Sequence, residues 1–328
     1  MQANNSWQPT TNLATLQTRA AMLASARKYF ADRAVLEVET PILAGHAVTD
    51  AHIQSIGVHK QDSELWLRTS PEYHMKRLLA VHPQDIYQIA KVFRDGESGT
   101  RHQPEFTMIE WYRLGFGLNA MIDDTCELIK YLSQHAQFPV AEHRTISYTE
   151  AFQSACNLNP ISATLEDIRS TALESLADII DKRLTETIGD DRACWLDLLA
   201  SHIVTPSFEK DILYVMTDYP AEQAMLAKLN PHNDLLAERF EIFLNGLELA
   251  NGYCELQDAT EQAERFHKDN EQRQQSDLAA ITIDEHLLAA LESGLPTCSG
   301  VAVGLDRLLM ITDGHDSVGS TLSFLPGG

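Results

Sequence analysis

The chain has 328 residues, of which 44% are hydrophobic, and it lacks any apolar run near the roughly 20 residues that span a bilayer. It carries 25 Lys and Arg against 47 Asp and Glu, a formal net charge of −22 at pH 7. Because nucleic-acid-binding proteins gain much of their affinity by neutralising phosphates, this balance argues against that class. The five cysteines form no CxxC pair, and no secretory signal is visible, so we expect a reduced, cytoplasmic protein without a zinc site.

The predicted elements start after residues 1–11, a polar segment that we expect to be disordered. Asn12 is predicted to cap a helix that runs to about residue 32, because apolar residues repeat there at helical spacing. Apolar runs between turn residues predict strands over residues 35–39, 65–69, 86–94, 105–113, 213–217, 240–244, 247–250 and 300–304. Further helices are predicted over residues 258–278 and 305–311.

These elements together indicate the fold class. Strands joined by hairpins, with helices gathered elsewhere, are typical of α+β proteins with a mainly antiparallel sheet flanked by helices. A helix-rich insertion is predicted at about residues 120–205. No Gly/Pro-rich linker divides the chain, so residues 12–328 are predicted to form a single catalytic-type domain.

The predicted strand over residues 105–113 carries polar residues on one face. Since side chains alternate along a strand, Phe106, Met108, Glu110 and Tyr112 share that face. An aromatic ring beside polar groups is compatible with a ligand-facing floor, but also with a solvated face. The strand alone leaves both interpretations open.

Two acidic residues lie on a second predicted hairpin, which turns at Asn245-Gly246. A two-residue turn predicts the cross-strand pairs Leu244 with Leu247, Phe243 with Glu248, and Glu241 with Ala250. Glu241 and Glu248 then lie on the same face as diagonal neighbours. Two close carboxylates repel unless a cation such as Mg²⁺ lies between them, although an exposed acidic strand explains the pattern as well.

The segment GVAVGLDR places Gly300 and Gly304 around a short strand and Arg307 in the first turn of the next helix. Glycine permits a close approach of the backbone to a ligand, and Arg307 could meet a phosphate or stack on a base. A buried strand–helix corner would look similar. The common phosphate loops GxxxxGK[ST] and GxGxxG do not occur.

Three of these segments resemble, in order and spacing, the signature motifs of class II aminoacyl-tRNA synthetases. They are ARKYF followed by VLEVETPIL, then VFRDGESGTRHQPEFTMIEWYR, and finally GVAVGLDRLLM. The segments RTSPEYHMKRLL, TDYPAEQAMLAKLN and GLELANGYCELQDATEQAERF are similar to lysyl-tRNA synthetases in particular. The resemblance covers about residues 12–325 and implies the class II catalytic fold, a homodimer formed through the first motif, and ATP as substrate.

The resemblance also implies roles in ATP binding and catalysis. Arg94 would contact the α-phosphate and the substrate carboxylate, and His102 the distal phosphates. Phe106 would stack under adenine. Arg307 would cover the other face of adenine and approach the γ-phosphate, so that Arg94 and Arg307 are the implied catalytic residues.

For the metal and the amino acid, the resemblance implies a set of acidic residues. Glu241 and Glu248 would hold Mg²⁺ with the ATP phosphates. The implied substrate-binding residues are Ser70, Glu72, Glu110, Tyr112, Asn251, Glu255 and Ala302. Glu72 would pair with the backbone amine, and Glu255 with Tyr112 would bind the side-chain ammonium. A closed pocket for lysine must pair both ammonium groups, which explains the carboxylates beyond the metal ligands.

Two departures from the synthetases indicate a different acceptor. Only about 11 residues precede the first helix, so we expect no OB-fold anticodon-binding domain, and the charge of −22 makes tRNA an unlikely partner. The chain thus looks like the synthetase paralogue that attaches lysine, preferably (R)-β-lysine, to a lysine of elongation factor P. Ala302 stands where synthetases usually have glycine, and its methyl group is expected to disfavour an α-amino group, unless the change is neutral drift.

A third departure concerns adenine recognition. The family usually has glutamate where FRDGE has Gly96, with Glu97 next in the chain. Either Glu97 replaces that contact or backbone groups read the base.

The alternatives to an elongation factor P ligase are the same chemistry with tRNA or a small amine as acceptor, and a non-catalytic amino-acid sensor.

Overall fold

The computed structural model of the chain describes residues 7–60 and 63–325. The predicted disorder of residues 1–11 therefore falls in part on residues 1–6, which lie outside the described residues. Thr10, by contrast, donates from its backbone N–H to the Ser323 carbonyl at 2.9 Å and from Oγ1 to the Leu322 carbonyl at 2.6 Å. Disorder is the wrong prediction for this residue, because long-range partners of this kind leave no periodic signal in a polar segment.

The described residues form ten α-helices and twelve strands, with runs of consecutive strands and of consecutive helices. The helices are α1 (Leu13–Ala31), α2 (Glu72–Val81), α3 (Leu118–Ser133), α4 (Tyr148–Cys156), α5 (Leu165–Ser175), α6 (Lys182–Ile188), α7 (Arg192–Leu199), α8 (Ala259–Gln275), α9 (Glu285–Gly294) and α10 (Leu305–Thr312). The strands are β1 (Leu36–Glu37), β2 (Leu43–Ala44), β3 (Ile56–Lys60), β4 (Ser63–Leu67), β5 (Ile86–Phe93), β6 (Glu105–Leu114), β7 (Glu142–Ser147), β8 (Ile212–Pro220), β9 (Leu229–Asn230), β10 (Asn233–Leu244), β11 (Leu247–Cys254) and β12 (Cys298–Gly304).

The chain divides into two compact units. The first comprises the chain up to Pro139 and from Glu255 onwards, and the second comprises Val140–Cys254. The second unit contains most of the region predicted as a helix-rich insertion, together with the strands predicted over residues 213–217, 240–244 and 247–250. The single-domain organisation stays a prediction.

The first unit is built on the strand order β1-β5-β6-β12, in which β1 is parallel to β5 and the other pairs are antiparallel. A smaller antiparallel sheet has the order β2-β4-β3. Helix α1 begins as predicted, since the Asn12 side chain accepts a hydrogen bond from Thr15 N at 2.9 Å. Its residues Met22, Ala26 and Phe30 are fully buried, which holds one face of the helix in the core.

The second unit has the strand order β11-β10-β8-β7, with β9 beside β10. Helices of this unit cover one face of its sheet through a core that includes Phe152, Trp195, Leu199 and Tyr148. Both units thus combine mainly antiparallel strands with packed helices, as the α+β prediction requires. Across residues 7–60 and 63–325, no helix has both the length and the apolar character needed to cross a bilayer.

The hairpin of β10 and β11 differs from its predicted register. Leu244 pairs with Leu247 and Phe243 with Glu248, as expected, but Glu241 pairs with Asn251 and not with Ala250. The reason is a β-bulge between these pairs, which adds one residue to β11. As a consequence Glu248 and Asn251 both lie on the face of the sheet that carries Glu241, and all three residues are half-buried.

Helix α2 was not predicted as an element of its own. It presents two charged residues, Glu72 and Lys76, to the interior along with Met75 and Leu79. Inward-facing charges interrupt the apolar periodicity from which amphipathic helices are recognised. The same two residues turn out to belong to the candidate site.

Candidate active site

The floor of the candidate site is formed by the face of β6 that the sequence singled out. Glu110 lies opposite Gln88 of β5 and Ala302 of β12, and Tyr112 lies opposite Gly300. Glu110 is only 3% exposed, and Tyr112 is buried beside it. This excludes the solvated-face interpretation for both residues. The hydroxyl of Tyr112 donates to Glu110 Oε1 at 2.8 Å and fixes the carboxylate.

A buried lysine joins the two acids that were expected to bind the amine groups of the substrate. Lys76 Nζ lies 2.7 Å from Glu72 Oε1 and 2.6 Å from Glu255 Oε2. Glu72 occupies the first turn of α2, where its backbone N–H donates to Ser70 Oγ at 3.3 Å. Sequence reasoning overlooked Lys76, although the spacing of four residues from Glu72 places both side chains on one face of a helix.

Burial shifts the protonation of these acids. It raises the pKa of Glu110 to about 8, with the Glu72 carboxylate adding to the rise and the Tyr112 hydrogen bond opposing it. It also raises the pKa of Glu255 to about 7, although the charge of Lys76 counteracts the rise. For Lys76, burial acts to lower the pKa, but the charges of Glu255 and Glu72 outweigh it and keep the side chain protonated.

Gly300 makes room for this group of side chains. A Cβ atom at this position would lie 2.4 Å from both Glu255 Oε1 and the Tyr112 ring. These separations are far below van der Waals contact, so only glycine fits while both neighbours keep their places. The close approach that the GVAVG pattern predicted is therefore an approach to the protein's own acid and aromatic ring.

Arg94 lies at the end of β5 beside the predicted adenine platform. Its guanidinium is 5.1 Å from the centre of the Phe106 ring, and its Nη1 is 3.4 Å from Glu97 Oε1. Its Nε is buried and has no hydrogen-bond partner among the described residues. Gly96 adopts a φ of +74°, which suits glycine and directs the turn that carries Glu97 toward Arg94.

Arg307 and His102, the other predicted ATP-binding residues of the first unit, are adjacent. Arg307 Nη2 lies 2.6 Å from His102 Nε2. The start of α10 is fixed by the residue before Arg307: Asp306 accepts from Thr107 N at 2.7 Å and pairs with Arg19 at 2.5 Å. The buried Asp306 thus anchors the first turn of α10, which carries Arg307, and the sequence analysis did not assign it this role.

The second unit contains Glu241, Glu248 and Asn251. Glu241 accepts a hydrogen bond from the Tyr219 hydroxyl at 2.7 Å and pairs with Arg239, which also donates to Asn251 Oδ1 at 3.3 Å. Burial raises the pKa of Glu241 to about 7; Arg239 opposes the rise and the nearby charge of Glu248 adds to it. The charge of Glu248 therefore acts on Glu241, and the role of the two acids as a metal site stays a prediction. Arg239 and Tyr219 were missed by the sequence analysis.

The comparisons with known proteins identify the family of the chain. Residues 7–326 match the family model described as tRNA synthetases class II (D, K and N). The chain belongs to this family of class II tRNA synthetases. This establishes the class II catalytic fold and an enzymatic family whose chemistry implies the use of ATP.

The similar proteins in this family narrow the comparison further. The chain is 42% identical over 330 residues to an elongation factor P--(R)-beta-lysine ligase of Haemophilus influenzae (strain PittGG), covering 99% of this chain and 98% of the relative. It is 42% identical to the protein of the same name from Klebsiella pneumoniae (strain 342), with the same coverage. It is 40% identical over 328 residues to that of Vibrio cholerae, covering 98% of each chain. The predicted kinship with the elongation factor P ligases and the predicted ligase class are thereby confirmed.

Proposed function

We propose that the chain activates (R)-β-lysine, or lysine, with ATP and transfers the aminoacyl group to a lysine side chain of elongation factor P. The observation that carries this proposal is the buried acid group of the first unit. Glu72, Glu110 and Glu255 are buried around one lysine, and such a group attracts a ligand with more than one ammonium. We infer elongation factor P as the acceptor from the names of the similar proteins.

The proposed reaction needs no nucleophile from the protein. A carboxylate oxygen of the amino acid attacks the α-phosphorus of ATP, and the bond to the departing pyrophosphate breaks. The ε-amine of the acceptor lysine then attacks the carbonyl of the aminoacyl-adenylate and releases AMP and a proton. The side chains contribute orientation and charge stabilisation at each step.

Arg94 is proposed to stabilise the charge that develops on the α-phosphate. Its buried Nε has no hydrogen-bond partner among the described residues, which favours a ligand as the missing acceptor. Phe106 beside it offers a ring for adenine to stack on, and Arg307 with His102 offers a basic pair for the distal phosphates. Glu97 is proposed to take over the adenine contact that Gly96 cannot make.

Glu241 and Glu248 are proposed to hold Mg²⁺. The donor set suits a hard cation, because carboxylate oxygens are the ligands that Mg²⁺ prefers, and the Glu248 charge already acts on Glu241. The ion would neutralise phosphate charge. Asn251, in register with Glu241, is proposed to fix the polar end of the amino acid.

A homodimer in the cytoplasm is part of the proposal. Three large apolar residues of the segment that resembles the first motif are exposed: Leu36, Ile42 and Leu43, at 49%, 44% and 47%. Exposed large apolar residues within one short segment favour an interaction surface there. The acidic net charge supports a protein acceptor over tRNA.

ATP–pyrophosphate exchange tests the activation step directly. We expect exchange that depends on (R)-β-lysine and, more weakly, on L-lysine. The experiment includes a monoamine acid of the same length as a control, which the acid group should reject. Exchange with none of these amino acids would favour the non-catalytic sensor and overturn the proposal.

Ala302 is expected to set the preference between the two lysines. It lies opposite Glu110 and packs against a small cluster with Met108, Ala90 and Val92. Ala302→Gly removes one methyl group beside the substrate and should raise the activation of α-lysine relative to β-lysine by roughly tenfold, the usual scale for one methyl or methylene in a pocket. Exchange kinetics with both amino acids, alongside thermal unfolding of the variant, measure this. If the folded variant kept the wild-type ratio of α-lysine to β-lysine activation, Ala302 would not set this preference.

A further inference from the structure

We propose that Lys76 is a positioning residue that determines the charge specificity of the amino-acid site. Its ammonium pairs with one oxygen of Glu72 and one oxygen of Glu255 and fixes the positions of the two carboxylates for the substrate. The inference rests on the proposed function, since it concerns how the same site recognises a diamine acid.

The position of Lys76 is built into the fold. It is 1% exposed and stands one helical turn after Glu72 on α2, so the helix itself fixes the first of its two ion pairs. The second pair reaches Glu255, which begins the segment after β11. A lysine is rarely buried unless it is paired in this way, and removing it would leave two acids facing each other.

The other oxygen of Glu255 points to a ligand. Oε1 is buried and has no side-chain partner among the described residues, although the backbone of Gly300 acts on the carboxylate and lowers the pKa of Glu255. An unsatisfied buried carboxylate oxygen is costly, and an ammonium group of the substrate would satisfy it. Lys76 thus pairs with Oε2, and Oε1 has no charged partner among the described residues.

The charges around the group determine what loss of Lys76 would do. Glu110 interacts electrostatically or by a hydrogen bond with four nearby groups, namely Glu72, Tyr112, Glu255 and Lys76. It also interacts electrostatically with the buried guanidinium of Arg68. Glu255 is faced by Lys76 and Glu72. Lys76 lowers the pKa of both Glu110 and Glu255, so its removal should raise both values and let the acids take up protons.

Protonated acids no longer attract ammonium groups, so the effect should appear as a change in pH dependence. In the wild type, kcat/KM for the amino acid should rise between about pH 6 and pH 8 as Glu255 and Glu110 ionise. We call this rise the acidic limb of the pH profile. Without Lys76 the acidic limb should move to higher pH. A residue that only supported the fold would lower activity without moving the limb.

The test is ATP–pyrophosphate exchange over a range of pH with three variants. Lys76→Met should lower kcat/KM for the amino acid at neutral pH by on the order of 100-fold, the scale for breaking a buried ion pair, and shift the acidic limb upwards by about one pH unit. The KM for ATP should change little. Lys28→Met is the matched control, because Lys28 makes the same i,i+4 pair with Asp32 on an exposed helix face. It should behave as the wild type.

Lys76→Arg keeps the charge and changes the geometry. It should leave the acidic limb in place. It should also raise the KM for the amino acid at least about fivefold, because the larger guanidinium group of arginine displaces the carboxylates. This variant decides the question if Lys76→Met does not fold. The inference would be overturned if Lys76→Arg shifted the acidic limb of the pH profile or left the KM for the amino acid unchanged. A wild-type pH profile in folded Lys76→Met would also overturn it. If the wild type itself shows no exchange, the proposed function fails instead.

Discussion

Replacement of Arg94 by alanine is expected to reduce ATP–pyrophosphate exchange by about 100- to 1,000-fold, the loss that follows removal of one group that stabilises transition-state charge. The loss should fall mainly on kcat. Arg94 lies beside Phe106 and pairs with Glu97 through Nη1, whereas its buried Nε has no acceptor among the described residues and could bind the phosphate.

The control for Arg94→Ala is Arg144→Ala. Arg144 is a half-exposed arginine of β7 that pairs with Glu209 on the surface of the second unit. It should keep full exchange activity, since exposed ion pairs contribute little. A loss below tenfold in folded Arg94→Ala would show that this side chain does not act on the reacting phosphate.

The second large effect is expected from Gly300→Ala. The added Cβ would overlap with Glu255 Oε1 and with the Tyr112 ring, each at 2.4 Å. Both neighbours are buried and held by Lys76 and Glu110, so they cannot move away without breaking these contacts. We expect a loss of about 1–3 kcal/mol in the free energy of unfolding and amino-acid activation reduced to background.

Gly45→Ala is the matched control, because its Cβ would meet no atom within 4 Å. Thermal unfolding and the KM for the amino acid are the measurements for both variants. If Gly300→Ala kept the wild-type KM, Glu255 and Tyr112 would not form the amine-binding part of the site.

Local sequence signals predicted the main strands well but not their register. The Asn245-Gly246 turn produced the expected hairpin with the expected first pairs. The bulge that aligns Asn251 with Glu241 could not be predicted from alternation, since it interrupts the very period on which the prediction depends. The structure also shows that this irregularity places three of the implied site residues on one face.

The acids of the candidate site were found from strand patterns and from the resemblance, whereas the basic residues that pair with them were not. A glutamate and a lysine four residues apart normally indicate an exposed helix face, so Glu72 and Lys76 gave no sign of burial. Arg239 was overlooked for the same reason, because a charged residue on a strand is first assigned to solvent. Only the tertiary packing around these charges reveals that they are buried and paired.

Adenine recognition remains the least predictable part of the site. The structure brings Glu97 to Arg94 and leaves Gly96 at the turn, which explains why glycine is accepted there. That Glu97 contacts the base stays a prediction, because its side chain is paired with Arg94 within the protein.

The central claim is that the chain transfers an activated lysine to elongation factor P, and intact-mass spectrometry of that acceptor tests it most directly. After incubation with the chain, ATP, Mg²⁺ and (R)-β-lysine, elongation factor P should gain the mass of one β-lysyl group on a lysine, and Arg94→Ala should give no gain. The account would be contradicted if elongation factor P stayed unmodified although the same enzyme carries out ATP–pyrophosphate exchange. It would also be contradicted if elongation factor P stayed unmodified while the enzyme charged tRNA.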